Sequence, residues 1–229
     1  MDRADAAALL HRPDGDARVT GAAAVLLAAT GAAAVADWIA VARAQRMLEY
    51  AAKPLVMVGL IAVALTLRAT NPTQRWFFVA ALVFGLASDV FLMLPKDMFL
   101  AGLVAALVEH LAYIAGFLTR GLHAAMLAVA FVIALVSVAI FLPPIVRSVR
   151  AKLPTLVGPI LAYVAVFVVM VAAAGASGSL VALAGALLFF YSDAVLAWNR
   201  FVSPLPYGRV VNIVPYHAGE ALLVVSLVT

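Results

Sequence analysis

Two aspartates stand inside long apolar runs, and each follows a serine: Ser88-Asp89 in FGLASDVFLM and Ser192-Asp193 in FFYSDAVLA. A carboxylate at membrane depth costs roughly 2.5–3.5 kcal/mol on insertion scales, so such residues mark functional sites far more often than inert packing. Two carboxyls in one low-dielectric pocket cannot both ionise cheaply, so one stays protonated while the other carries the charge. That division is what general acid and general base catalysis requires. Other groups fall at compatible depths. Lys53 precedes Pro54 near the start of an apolar segment. His110 and Tyr113 share a helix face at i and i+3, as do His217 and Glu220. Tyr191 and Ser192 precede Asp193, and Glu109 neighbours His110 on another face. Asp37 sits close enough to a span end to be read as solvated. Lys53-Pro54 reads as a helix opening from which the ammonium reaches either the headgroups or an aspartate.

The elements that hold these groups are legible from hydropathy. The 229 residues are 67% hydrophobic and 11% charged, against about 25% charged in a soluble domain. An integral, multi-pass protein of the cell membrane is expected, with no separate water-soluble domain. Spans of ~20 residues fall near 20–41, 50–68, 75–94, 97–119, 122–142, 154–175, 178–199 and 206–228. The fold class is therefore an all-α membrane protein, a bundle of about eight transmembrane helices over residues 19–229, preceded by a polar tail at 1–18. Alternation of the β-barrel kind is absent. The run Ala34-Val35-Ala36 before Asp37 resembles a signal-peptidase site, but the apolar pattern continues through Trp38–Val41 and favours a retained first span. Pro143-Pro144 with the basic residues after it reads as a connection.

Span direction places Asp37, Lys53, Asp89 and Asp193 toward the face opposite the N-terminus, with His110 and His217 deeper. Several ionisable groups should thus meet in one cavity open to that face. The Ser-Asp pairs lie 104 residues apart, or four spans, which suggests a parallel repeat of a four-helix unit. Trp76, Phe77 and Phe78 read as interfacial or packing aromatics, and Met57, Met93, Met98, Met126 and Met170 as core filler. The scattered basic residues, six toward one face and eight toward the other, leave orientation undetermined and make no nucleic-acid footprint. Cysteine is absent, which removes disulfides and thiolate metal sites.

In order along the chain, Lys53-Pro54-Leu55, the stretch GLASDVFLM, His110-x-x-Tyr113 and Phe190-Tyr191-Ser192-Asp193 resemble the YhhN-like lysoplasmalogenase family. The likeness runs from about residue 50 to 225. Two positions depart from the family pattern: Ser88-Asp89 stands where Gly-Asp is usual, and Glu220 where glutamine is frequent. The resemblance implies an eight-span bundle that hydrolyses the vinyl ether of a lysophospholipid substrate to a fatty aldehyde and a glycerophospho-alcohol, with no required metal or other cofactor. It also implies Lys53, Asp89, His110, Tyr113 and Asp193 as site residues. Vinyl ether hydrolysis fits the two aspartates as acid and base, with Lys53 contacting the lipid phosphate or setting an aspartate's charge. His110 and Tyr113 would then position water or the glycerol hydroxyl. Two other functions fit the same residues: a proton-coupled small-molecule transporter, and a zinc-dependent amidohydrolase of the ceramidase kind built on His110, His217 and an aspartate. The latter lacks an HxxxH pair.

Overall fold

In hydrocarbon no water is present to satisfy the backbone, so a chain of this composition must close its hydrogen bonds within helices. The computed structural model describes residues 19–229, and the polar tail assigned to residues 1–18 lies outside the described residues. Eight helices long and apolar enough to cross a membrane follow one another: α1 (Gly21–Ala42), α2 (Arg46–Thr66), α3 (Pro72–Met93), α4 (Phe99–Phe117), α5 (Ala124–Lys152), α6 (Val157–Ala176), α7 (Leu180–Ala197) and α8 (Gly208–Val225). There is no strand among the described residues. Starts are set by local chemistry: the side chains of Thr20, Asn71 and Ser179 accept from free N–H groups of the first turns of α1, α3 and α7. Pro72 follows Asn71 at the first helical position, where its missing N–H costs nothing.

Consecutive helices pair as α1–α2, α3–α4, α5–α6 and α7–α8, and the pairs are joined by α2 on α3, α4 on α6, α6 on α7, and α1 and α2 on α8. Helix association in lipid depends on close packing rather than on a hydrophobic drive, so small residues sit where helices touch. A Cβ on Gly219 would stand 2.9 Å from both the Gly185 carbonyl oxygen and the Phe189 amide nitrogen, and one on Gly185 would stand 2.9 Å from the Gly219 carbonyl. These two glycines fix the spacing of α7 and α8, which carry Asp193 and Tyr216.

Two boundaries differ from expectation, and both matter for the site. Pro143-Pro144 does not end a span. The helix α5 continues through the prolines for 29 residues to Lys152, about 43 Å at 1.5 Å per residue, well beyond a ~30 Å hydrocarbon core. The prolines remove the hydrogen bonds that Ala139 and Ile140 would accept, yet helical φ suits proline and the next turn is held by packing. Ile145 and Val149 join Ile160 and Phe201 in a small separate core. Ser148 Oγ and Lys152 Nζ both donate to the Phe201 carbonyl, freed in a π-helical turn at Trp198–Val202. Likewise α2 begins at Arg46 rather than at Lys53-Pro54. Lys53 therefore lies about two turns inside the helix instead of at its mouth, with 13% of its side chain exposed.

Candidate active site

The ends of α2, α3, α7 and α8 that face away from Thr20 surround a cavity of about 520 Å³, whose remaining wall comes from α4, α5 and α6. That volume lies within the range of small-molecule sites. One wall is polar, with Lys53, Asp89, Glu109, Tyr163, Asp193 and Tyr216. Much of the remaining lining is apolar and includes Val138, Phe141 and Leu142 of α5 and Val164 of α6. Arg46, Asn199 and Arg209 stand at the rim, with Leu94 and Pro95 of the α3–α4 connection. Arg209 is paired to Glu49 at 2.5 Å.

The repeated Ser-Asp pair has one local meaning in both copies. Ser88 Oγ donates to the Gly102 carbonyl of α4 at 3.0 Å, and Ser192 Oγ donates to the Asn212 carbonyl of α8 at 3.0 Å. Each serine ties its helix to the next, and the aspartate one residue on reaches the cavity wall. Asn212 adds its amide to both the Ser192 carbonyl and hydroxyl. The aspartates themselves have unlike partners. Asp89 receives Lys53 Nζ at 2.7 Å on one oxygen and the Tyr216 hydroxyl at 2.9 Å on the other. Lys53 also lies over the Tyr216 ring, 5.3 Å from its centre. Asp193 contacts the Tyr163 hydroxyl, which also lies 3.3 Å from His110 Nε2.

The other residues singled out from the sequence form layers behind this wall. His110 is fully buried, with Nδ1 2.5 Å from the Ala106 carbonyl and its ring edge-on to Phe167 at 4.0 Å. Tyr113 donates to Glu220 Oε2 at 2.5 Å, and both are fully buried. Glu109 is 1% exposed and occupies the space a side chain on Gly85 would need: a Cβ there would stand 2.2 Å from Glu109 Oε1. His217 turns the other way, accepting from Trp38 Nε1 at 3.1 Å on Nδ1, with Nε2 3.9 Å from Asp37. Asp37 is completely buried, not solvated. The helix α1 runs on past it to Ala42 and packs that face against α8, so distance from the span end says nothing about access to water. Tyr191 stands away from the cavity, within hydrogen-bond distance of Ser137 on α5 at 3.1 Å. The set needed for a zinc site is not assembled among the described residues; His110 and His217 are committed to different neighbours.

Sequence reasoning missed Tyr163 and Tyr216, the two hydroxyls that contact the aspartates. For Tyr163 a signal existed, since it is the only side chain in α6 able to form a strong hydrogen bond. Outside the cavity lining, in the α3–α4 connection, Asp97 binds Arg200 through both carboxylate oxygens at 3.0 and 2.9 Å. This guanidinium, assisted by the Phe99 amide, holds the Asp97 carboxyl below the usual carboxylate range.

The chain matches the YhhN family over residues 48–227. It is 30% identical to "Lysoplasmalogenase TMEM86B" of Mus musculus over 161 residues, covering 69% of this chain and 66% of that protein. It is also 30% identical to "Lysoplasmalogenase TMEM86B" of Homo sapiens over 150 residues, covering 64% of this chain and 61% of that protein. The chain thus spans just under two thirds of the length of these relatives. No solved structure matches it.

Proposed function

Because the chain belongs to the YhhN family, we propose that it is a membrane-embedded hydrolase cleaving the vinyl ether of a lysoplasmalogen-type lysophospholipid. The products are a fatty aldehyde and a glycerophospho-alcohol. The observation that carries this reading is that Asp89 and Asp193, 104 residues apart, line one cavity and hold unlike partners. The cavity also suits the substrate's two ends. The apolar wall on α5 and α6 offers room for an alkenyl chain, and Arg46 at the rim offers a cation for a phosphodiester. Lys53 is engaged with Asp89, which favours its role in setting that carboxyl's charge over direct contact with phosphate.

The chemistry balances within the two carboxyls and one water. One carboxylic acid gives its proton to the β-carbon of the vinyl ether, whose π electrons form the new C–H bond. The resulting oxocarbenium ion is stabilised by the facing carboxylate. Water then adds to the cationic carbon as that carboxylate takes its proton, giving a hemiacetal. Collapse of the hemiacetal returns the hydroxyl proton to the first group and delivers the second group's proton to the departing alcohol oxygen. Both residues end as they began.

The test is aldehyde release from a synthetic lysoplasmalogen by the detergent-purified full chain, beside Asp89→Asn and Asp193→Asn. General acid–base catalysis is worth about 10²–10⁴-fold, so each variant should lose at least 10²-fold while still folding, as read by one cooperative thermal transition; Asp89→Asn melts lower because Lys53 loses its partner. Release that persists in either variant rules out the two-aspartate chemistry. Uptake into proteoliposomes that depends on these aspartates, with no aldehyde formed, favours a transporter instead.

A further inference from the structure

The hydrolysis proposed above needs one carboxyl protonated and the other charged, and the hydrogen bonds around the two are not equivalent. Asp89 accepts from both sides. Lys53 and Tyr216 are donors there, and the other contact of the Tyr216 hydroxyl is the weakly accepting Met57 sulfur at 3.5 Å. Asp193 sits at the end of a different chain. His110 Nδ1 faces the Ala106 carbonyl, which can only accept, so that nitrogen carries a hydrogen. In a neutral ring Nε2 is then an acceptor, and the group it faces is the Tyr163 hydroxyl. Tyr163 has one proton and two neighbours, His110 and Asp193. Both contacts are hydrogen bonds only when a second proton is present on the chain. Placed on His110, it would make an imidazolium enclosed by the rings of Phe167, Phe189 and Tyr163 with no carboxylate in direct contact, a costly burial. Placed on Asp193, it leaves every member neutral and bonded in one direction: Asp193 donates to Tyr163, and Tyr163 donates to His110.

From this bonding we infer that Asp193 is the proton donor and Asp89 the carboxylate facing the cation, with Tyr163 and His110 as positioning residues that keep the transferable proton on Asp193. The inference rests on the hydrolase reading. The proton leaves Asp193 for the β-carbon, the π electrons form the C–H bond, and Asp193 becomes a carboxylate. The charged and titratable groups around Asp193 are Lys53 from α2, Asp89 from α3, Glu109 and His110 from α4, Tyr163 from α6 and Glu220 from α8. Tyr216 of α8 is reached through Asp89. Among the described residues, only the Tyr163–His110 chain touches the Asp193 carboxyl by hydrogen bonds.

The direction of a pH shift separates this arrangement from its opposite. A phenol that accepts from Asp193 supports the acid form, and a phenol that donates to it supports the carboxylate. The experiment measures kcat and KM for aldehyde release across pH with wild type, Tyr163→Phe and His110→Leu, on a synthetic 1-alkenyl lysophospholipid. In Tyr163→Phe the basic limb of kcat/KM should move about one pH unit lower, the scale of one lost hydrogen bond. At pH values above both midpoints kcat should fall roughly 10-fold, and KM should stay near wild type. His110→Leu removes the acceptor, turns the Tyr163 proton toward Asp193, and should move the limb the same way. A limb that moves higher, or that stays in place in both variants, overturns the assignment while leaving the hydrolase reading intact. Folded wild type that releases no aldehyde overturns both. Should one variant fail to fold, by size exclusion and thermal transition, the other decides by the same criterion.

Discussion

Replacing Lys53 with methionine keeps the length of the side chain and removes its charge, leaving Asp89 with Tyr216 as its hydrogen-bond partner. The two side chains are 13% and 5% exposed and their charged atoms 2.7 Å apart. At an effective dielectric of about 20 the direct attraction is about 6 kcal/mol, most of it offset by desolvation of both ions. The larger effect is the orphaned carboxylate, since breaking a buried pair on one side costs roughly 3–5 kcal/mol. In a chain of this size 1 kcal/mol moves the midpoint by about 2–4 °C, so Lys53→Met should melt roughly 6–20 °C below wild type. Asp89→Asn in the Lys53→Met background removes the orphaned charge and should restore at least about 2 kcal/mol. A double-mutant cycle of thermal unfolding in one detergent, followed by tryptophan fluorescence, reads the coupling. If the double variant is no more stable than Lys53→Met, the two groups are not a buried pair and the account of the polar wall fails.

Gly85→Ala places a methyl 2.2 Å from Glu109 Oε1; it should destabilise the protein by roughly 1–3 kcal/mol, and Glu109→Ala should relieve it, both read by thermal midpoint. Tyr191→Phe should keep kcat/KM within about two-fold of wild type, because its hydroxyl faces Ser137 on α5 and not the cavity. Asp97, held below its unfolded value of 3.8 by Arg200, contributes stability that is present above that value and lost as pH falls through its folded one. The small difference between wild type and Asp97→Asn should therefore be present at neutral pH, vanish in acid below pH 3.8, and shrink in high salt.

Asp89 and Asp193 could be found from the sequence because a carboxylate in an apolar run is anomalous whatever surrounds it, and the repeat doubled the anomaly. The eight spans were legible for a related reason: insertion into hydrocarbon is close to a sum over single residues, so a window of sequence contains the information. Pro143-Pro144 misled because helix breaking by proline depends on what holds the following turn, and Phe201, far along the chain, does so. Tyr163 and Tyr216 were missed because a membrane tyrosine looks like packing until its hydroxyl is seen to meet a carboxyl.

The sequence by itself determined a helical membrane bundle, the presence of two costly carboxylates, and the face toward which they lie. The tertiary structure decided that Lys53 belongs to Asp89, that Tyr163 and His110 belong to Asp193, that Asp37 is enclosed, and that Tyr191 is turned away. The physical reason is that burial cost belongs to one residue at a time. Partnership depends on which side chains from separate helices come within about 3 Å, and that is fixed by packing contacts such as Gly185 against Gly219.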